Sequence, residues 1–305
     1  MRLLRRKGRG SQRHSRMLTD THCHLDLRKF DPDRTEVLRR AAEAGVTRIL
    51  IPGLSLESSR GVAALAASHP MLYAAVGVHP TEAMTWTGET SGELRKLILP
   101  HPSLPSPHGR GEGGEGKIVA IGEIGLDYYW DSAPHDVQKS VLQEQLGLAA
   151  EVGLPVVLHM REARGAREET CARDLLEILG RWVAGLEDGR LKKGPGVLHS
   201  FSGGPETAQE AMRLGFHIGV TGPVTFENAA ARQALVARLP LERLLIETDA
   251  PLLTPHPRRG RRNEPAYVRL IADKIAVLHC RPIEEVTAAT SENARQLFGW
   301  NENQA

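Results

Sequence analysis

Histidine and carboxylate side chains in this sequence stand where short apolar runs end. The first such run leads into Thr21-His22-Cys23-His24, in which one residue separates two histidines. Side chains two positions apart on a strand point to the same side, so both imidazoles can reach one metal ion. A histidine pair of this spacing alone is equally compatible with a structural role in a core.

The ends of later apolar runs supply four more groups of the same kind. Each alone fits a simpler interpretation, because such a residue after a strand often caps a helix or lies in a solvated loop. A set of six imidazoles and carboxylates suits zinc, manganese or magnesium better than calcium. It also exceeds the three protein ligands typical of one catalytic zinc, and so predicts a two-metal site with a bridging carboxylate. The six residues are His22, His24, Glu123, His159, His199 and Asp249.

The apolar runs are mostly Val, Ile and Leu without polar alternation, which is typical of strands covered on both faces. Helical segments lie between them, and several end just before a glycine. Eight strand–helix repeats predict an α/β fold, a (β/α)8 TIM barrel, in which the strand ends form one rim. A doubly wound open sheet is the alternative, which the absence of a GxGxxG motif after the first strand disfavours. The predicted strands are Leu18–Thr21, Val46–Ile51, Leu72–Val78, Ile118–Ile121, Pro155–Leu158, Gly196–Leu198, His217–Val220 and Leu244–Glu247, and predicted helices include Arg34–Ala44, Ser58–Ser68, His135–Val152 and Pro205–Leu214.

Eight segments of the sequence match a known family. They are DTHCHLD, GVHP, IGEIGLDYY, LPVVLHMREA, LHSFSGG, IETDAPLL, RNEPAYV and TSENARQLFG. Together they resemble the TatD family of metal-dependent deoxyribonucleases. The resemblance runs in order from about Leu18 to Trp300 and implies a (β/α)8 barrel, two divalent metal ions and hydrolysis of DNA phosphodiester bonds. The sequence departs from the commonest family motifs at Met160 and Ser200, neither of which is an expected ligand.

The resemblance also implies how the ligands are shared. The histidine pair of the first strand and Asp249 would hold one metal ion, while His159 and His199 would hold the other. Glu123 would bridge the two ions, since each of its oxygens can bind one of them. Asp249 is in addition the candidate general base for attack of water on phosphorus.

Three more residues have candidate roles at the same rim. His79 and Arg161 are candidate phosphate contacts, although Arg161 is equally compatible with an ion pair to a neighbouring acid. Glu247 lies two residues before Asp249 on one strand and faces the same side, so it is a candidate to orient a ligand from behind.

Three functional hypotheses are compatible with this set of candidate metal ligands, and they differ in the substrate and in whether catalysis is retained. The first is a deoxyribonuclease with two divalent ions of zinc, magnesium or manganese, acting on DNA ends or short strands. The second keeps the ions but hydrolyses an ester, such as the D-aminoacyl bond of a mischarged tRNA. The third is a binding protein that keeps the barrel and has lost catalysis. None of them requires an obligate protein partner.

Composition narrows the class of protein. With 41% hydrophobic and 25% charged residues among 305, a largely disordered chain is excluded. No apolar run approaches the ~18 residues that cross a bilayer, so an integral membrane protein is excluded as well. Three cysteines without a CxxC pair suit a reducing cytosol, which predicts a cytoplasmic location.

Charge and low-complexity stretches set the domain boundaries. Residues 1–16 hold seven of the 39 cations and no acid, so the rest of the chain has 32 cations against 37 acids, a balance of −5. Overall charge therefore gives no argument for non-specific nucleic-acid binding. We expect a disordered basic extension at 1–16, one barrel domain over 17–300 and a tail at 301–305. A Pro-, Gly- and Ser-rich insertion is predicted at about 100–116, opposite the rim because it precedes the fourth strand.

Overall fold

A computed structural model of the chain describes residues 17–99 and 117–300. Within them, eight parallel strands form one sheet whose spatial order follows the chain. The first and last strands adjoin, because the Thr21 N–H donates to the Ile246 carbonyl (3.1 Å) and Cys23 bridges in parallel to Ala250. The predicted (β/α)8 barrel is confirmed, and the open sheet is wrong because its two edges would lie apart. The strands are β1 (Leu18–Asp20), β2 (Val46–Pro52), β3 (Leu72–Val76), β4 (Ile118–Asp127), β5 (Val156–Arg161), β6 (Gly196–Leu198), β7 (His217–Val220) and β8 (Leu244–Ile246).

Helices alternate with these strands and cover the barrel. None of them, within the described residues, is long and apolar enough to cross a membrane. Short 3-10 segments lie at Arg28–Phe30, Pro80–Thr85, Gly222–Thr225, Leu241–Arg243 and Pro265–Tyr267. The α-helices are α1 (Arg34–Glu43), α2 (Leu56–Ser68), α3 (Thr90–Ile98), α4 (His135–Val152), α5 (Thr170–Ala184), α6 (Arg190–Lys193), α7 (Pro205–Arg213), α8 (Ala230–Val236), α9 (Val268–His279) and α10 (Ile283–Phe298).

Local signals in the sequence explain most helix ends. Helix α4 ends where Gly153 takes a left-handed conformation with φ 69°, as the glycine after Val152 predicts. Helix α2 begins at Leu56, two residues before the predicted start. The reason is an N-cap, because the Ser55 side chain accepts a hydrogen bond from the Ser58 N–H.

The barrel interior is packed at its amino end. One buried cluster contains residues of β2 to β6 and β8 together with Phe298 and Trp300. Strands on opposite sides of a barrel can share a cluster only inside it, so the last turns of α10 and Trp300 fill this end. The site must therefore be approached from the carboxyl ends of the strands, as is usual for this fold.

The largest difference from the predicted elements is in β4, which continues to Asp127 and not only to Ile121. Its pairing with β5 runs from Ile121↔Val156 to Ile124↔Leu158, so β4 contains one extra residue, a β-bulge. Residues 122–127, which follow the predicted strand, are thus part of the observed strand. The predicted extension at 1–16, insertion at 100–116 and tail at 301–305 lie outside the described residues.

Candidate active site

Four side chains meet where β1, β4 and β8 end. The Nε2 atoms of His22 and His24 face each other at 3.2 Å, and each lies near an oxygen of Asp249, at 3.9 and 3.5 Å respectively. Oε2 of Glu123 completes the group, 3.2 Å from His22 Nε2 and 3.8 Å from His24 Nε2. All four residues are buried. We call this set group A.

A second group surrounds the other oxygen of the same glutamate. Oε1 of Glu123 lies 2.8 Å from Nδ1 of His159 and 2.8 Å from Nε2 of His199. The two ring nitrogens are themselves 3.3 Å apart. We call Glu123, His159 and His199 group B. Glu123 therefore directs one oxygen into each group.

The local sequence of β4 allows this placement of Glu123. Gly125, two residues after it, has φ 141°, a region that side chains rarely adopt. A Cβ there would lie 2.0 Å from the His159 carbonyl oxygen, so β4 and β5 can approach this closely only with glycine. The GEIG motif thus brings Glu123 and His159 together at the rim.

Burial and neighbouring charges set different protonation states on the histidines. Burial lowers the pKa of His22 to about 4, and His199 acts in the same direction. Burial opposes charge on His24 too, but the Asp249 carboxylate outweighs it and raises the pKa of His24 to about 9. The pKa of His159 also rises to about 9, since hydrogen bonds to Asp127 and Glu123 outweigh burial.

The two central carboxylates are held in the ionised form. Burial would raise the pKa of Glu123, but the imidazoles of His199, His22 and His79 hold it well below its ordinary value. Asp249 behaves in the same way, because its hydrogen bond with His24 outweighs burial and lowers its pKa. Nitrogen lone pairs and ionised carboxylates that converge in a buried site form a donor set that fits divalent cations.

Four overlapping sets of three residues could hold such a cation. Two of them are His79, Asp127 and His159, and His22, His199 and Glu247, and the other two belong to groups A and B. His22, His24 and Asp249 have one potential ligand atom each within 4.8 Å of one another, and Glu123, His159 and His199 do as well. These are the six residues that the sequence analysis singled out, and the structure brings them all to one rim. Within the described residues, Glu123 and Asp249 form their ion pairs with histidines.

His79 lies beside group B. Its Nδ1 accepts a hydrogen bond from the Thr81 N–H (3.2 Å), which assigns the proton of the neutral ring to Nε2. Nε2 lies 3.5 Å from Oε1 of Glu123, so an N–H group points into the site. Burial lowers the pKa of His79, which favours this neutral form.

Arg161 is exposed at the end of β5 and forms no ion pair with an acid in the part of the chain that the structure describes. Its guanidinium carbon instead lies 3.9 Å from the centre of the Tyr129 ring. The alternative that it pairs with a neighbouring acid is therefore not what the structure shows.

Glu247 lies behind group B and does not hydrogen bond directly to a ligand. Its Oε1 is 3.8 Å from Nδ1 of His199, beyond hydrogen-bonding distance, and accepts a hydrogen bond from the Ser200 N–H. Oε2 accepts from the Thr21 hydroxyl at 3.2 Å. Glu247 thus ties the residue after His199 to β1, and burial raises its pKa to about 7.

Asp127 is a further site residue, and the sequence analysis did not single it out as one. Its Oδ2 lies 2.9 Å from Nε2 of His159, and its Oδ1 accepts from the N–H groups of Tyr129 and Trp130. A carboxylate behind a ligating imidazole fixes the ring orientation and raises its basicity. The signal was present, because Glu123 and Asp127 are four residues apart on one strand and so share a face.

Asp20 and Asn263 were also missed, and both hold the segment that carries Asp249. The Asp20 carboxylate accepts from the N–H (2.8 Å) and hydroxyl (2.6 Å) of Thr248. The Asn263 amide donates to the carbonyls of Thr248 (2.8 Å) and Leu252 (2.6 Å). Asn263 lies in the RNEPAYV motif, whose structural role becomes visible only when the chain is folded.

Comparisons with known proteins identify the family to which the chain belongs. The model of the family described as TatD related DNase matches residues 19–299. A Bacillus subtilis protein named uncharacterized metal-dependent hydrolase YabD is 40% identical over 93% of this chain and 100% of its own length. The Cronobacter sakazakii protein named 3'-5' ssDNA/RNA exonuclease TatD is 36% identical, covering 92% and 97%. The crystal structure of YjjV, a TatD homologue from Escherichia coli, superposes with a TM-score of 0.79 at 33% identity, covering 93% of this chain and 98% of that one. The chain therefore belongs to the TatD family and is a metal-dependent hydrolase.

Proposed function

We propose that this protein hydrolyses phosphodiester bonds of DNA with two divalent ions, one held by group A and one by group B. The observation that carries this proposal is the position of Glu123, which directs one carboxylate oxygen into each group. A single anion between two cation sites screens the repulsion of the two ions. Zinc, manganese and magnesium all suit the mixture of imidazole and carboxylate ligands.

The chain's own side chains divide the work around the reacting phosphate. Bound ions supply Lewis acidity, which promotes ionisation of water and offsets charge on phosphate oxygens. Asp249, ionised and at the edge of group A, is placed to accept the proton of the attacking water. The Nε2–H of His79 is a hydrogen-bond donor for a phosphate oxygen beside group B.

The relatives favour nucleic acid over other esters. Several are named 3'-5' ssDNA/RNA exonuclease, which supports a substrate strand attacked at its end. The D-aminoacyl ester of a mischarged tRNA is the second substrate that the same chemistry would accept.

The unpaired cysteines Cys23, Cys171 and Cys280 support a location in the reducing cytoplasm.

The test compares both substrates in one series. The purified protein is analysed for bound metal, then given 3'-labelled or 5'-labelled single-stranded DNA, or D-aminoacyl-tRNA, with and without chelator. We expect metal-dependent release of nucleotides from DNA, and we expect release by Asp249→Asn to be slower by about a hundredfold or more. Asp188→Asn, at an exposed acid far from the rim, is the matched control and should retain full activity.

Two outcomes would contradict the proposal. Metal-dependent deacylation of the tRNA without any cleavage of DNA would establish the ester hydrolase instead. Two bound ions with no turnover of either substrate would show a binding protein that has lost catalysis.

A further inference from the structure

The loop between β4 and α4 carries two neighbouring aromatic side chains at the rim, Trp130, which is exposed, and Tyr129, which is half-buried. Trp130 is 52% exposed, whereas Tyr128, two residues earlier, is buried and donates a hydrogen bond to Asp174. The rings of Tyr129 and Trp130 meet edge to face, with centroids 4.8 Å apart and an interplanar angle of 79°. Contacts with α5 and within the loop therefore account for Tyr128 and part of Tyr129 but leave the Trp130 ring largely in solvent.

Hydrogen bonds attach this aromatic pair to the candidate metal site. The Oδ1 atom of Asp127 accepts from the N–H groups of Tyr129 (2.9 Å) and Trp130 (3.1 Å). The other oxygen of the same carboxylate lies 2.9 Å from Nε2 of His159. One carboxylate thus fixes both a candidate metal ligand and the backbone that carries the rings.

Positive charge lies over the same rings. The guanidinium carbon of Arg161 is 3.9 Å from the centroid of Tyr129 and 5.8 Å from that of Trp130. Arg164 lies 5.5 Å from the Tyr129 centroid. Neither arginine is in an ion pair with an acid within residues 17–99 and 117–300, so both charges are available to an anion.

We infer that Tyr129, Trp130, Arg161 and Arg164 form a stacking surface that binds an unpaired nucleobase next to the scissile phosphate. Flat rings match a base, and unpaired guanidinium groups match the phosphates that flank it. In a duplex the base faces are covered by their neighbours, so this surface selects single-stranded ends over paired ones. The inference rests on the proposed phosphodiesterase function and adds the part of the substrate that it recognises.

The experiment uses two ten-nucleotide strands with cleavage-resistant phosphorothioate linkages, one of thymidine and one of abasic residues. Their binding to the metal-loaded protein is measured by fluorescence anisotropy. Stacking of one base is worth ~1–3 kcal/mol, so the wild-type protein should bind the thymidine strand about tenfold more tightly. Trp130→Ala should lose most of this difference, and Trp130→Phe should keep most of it. Val277→Ala, which truncates another exposed apolar side chain on α9, should behave as wild type.

Kinetic measurements on cleavable strands distinguish a failure of this inference from a failure of the proposed function. On ordinary phosphodiester strands, Trp130→Ala should raise the KM for the thymidine strand several-fold with little change in kcat. Equal binding of both strands by the wild-type protein, or an undiminished preference in Trp130→Ala, would overturn the stacking surface even if DNA is cleaved. Absence of DNA cleavage by the wild-type protein would instead overturn the proposed function, while the binding comparison would still decide whether a base is recognised.

Discussion

Glu123 is the residue on which the two halves of the candidate site depend. Its carboxylate is buried, ionised and within ion-pair distance of five imidazoles from four different strand ends or loops. One of its oxygens lies 3.2 Å from a nitrogen of group A, and the other lies 2.8 Å from two nitrogens of group B. Its charge should therefore matter more than its shape.

The substitution Glu123→Gln tests this, since it keeps the shape and removes the charge. We expect the loss of at least one bound metal ion and of most phosphodiesterase activity. The fold should survive, because Glu123 lies at the rim and not among the apolar side chains of the core. Metal stoichiometry and circular dichroism of the purified variant provide the measurement.

A control and a contrary result are available for this substitution. Glu57→Gln changes an exposed glutamate on α2 and should retain full metal content. If Glu123→Gln kept two tightly bound ions and near-normal activity, the carboxylate would be only a local hydrogen-bonding group. The loss would then be confined to about 0.5–2 kcal/mol of stability.

At the scale of residues, the sequence predicted the six candidate ligands but not the groups behind them. The ligands were recognisable because each is a metal-binding type at the end of an apolar run. Asp20 and Asn263 gave no such signal, since their partners are backbone atoms of residues 228 and 15 positions away along the chain. Such contacts are set by the closed barrel and not by local spacing.

Among the elements, β4 and the segment after β8 determine where the ligands stand. The sequence predicted the order and type of the eight strands, because uninterrupted apolar runs mark strands of a parallel sheet. It did not predict that β4 would run on through Glu123 and Asp127. Glycines normally indicate a turn, whereas Gly122 and Gly125 here allow close approach of β5, which only the paired strands reveal.

The segment after β8 gives a prediction at the scale of an element. Asn263→Ala removes the amide that donates to the carbonyls of Thr248 and Leu252 and leaves both without that partner. We expect a loss of about 1–3 kcal/mol in the free energy of unfolding. Because Thr248 precedes Asp249, binding at group A should weaken as well.

Chemical denaturation and metal titration measure the two effects. Asn228→Ala, at an exposed asparagine in the segment before α8, should change neither. Wild-type stability together with wild-type metal affinity in Asn263→Ala would show that the segment holds its position without this amide.

For the molecule as a whole, stability should depend on pH through His217, which is buried at the start of β7. Burial, aided by Arg243, lowers the pKa of His217 from 6.5 to about 4. Between pH 6.5 and 4, His217 is therefore protonated in the unfolded chain and neutral in the folded chain. The neutral imidazole makes its full contribution to the free energy of unfolding above pH 6.5. This contribution decreases as the pH falls towards 4, by roughly 3 kcal/mol at most.

Denaturation of the wild-type protein and His217→Gln at several pH values measures this contribution. The difference between their free energies of unfolding should be constant between pH 7 and 8. Between pH 6.5 and 4 the wild-type protein should lose more stability than the variant. Parallel curves over the whole range would show that His217 does not cause the acid sensitivity.

Closure of the barrel has a consequence for how the protein acquires its ions. Group A combines two histidines that follow β1 with Asp249, which follows β8. The hydrogen bonds that join these two strands run from Thr21 to the carbonyl of Ile246, 225 positions further along the chain. A chain made from its amino terminus exposes His22 and His24 long before Asp249 exists. Pairing of β1 with β8 closes the longest stretch of chain in the barrel. The loss of chain entropy on this closure is therefore the last to be offset by contacts. An ion held by group A would therefore bind the finished barrel more tightly than its precursors and would favour completion of folding by mass action.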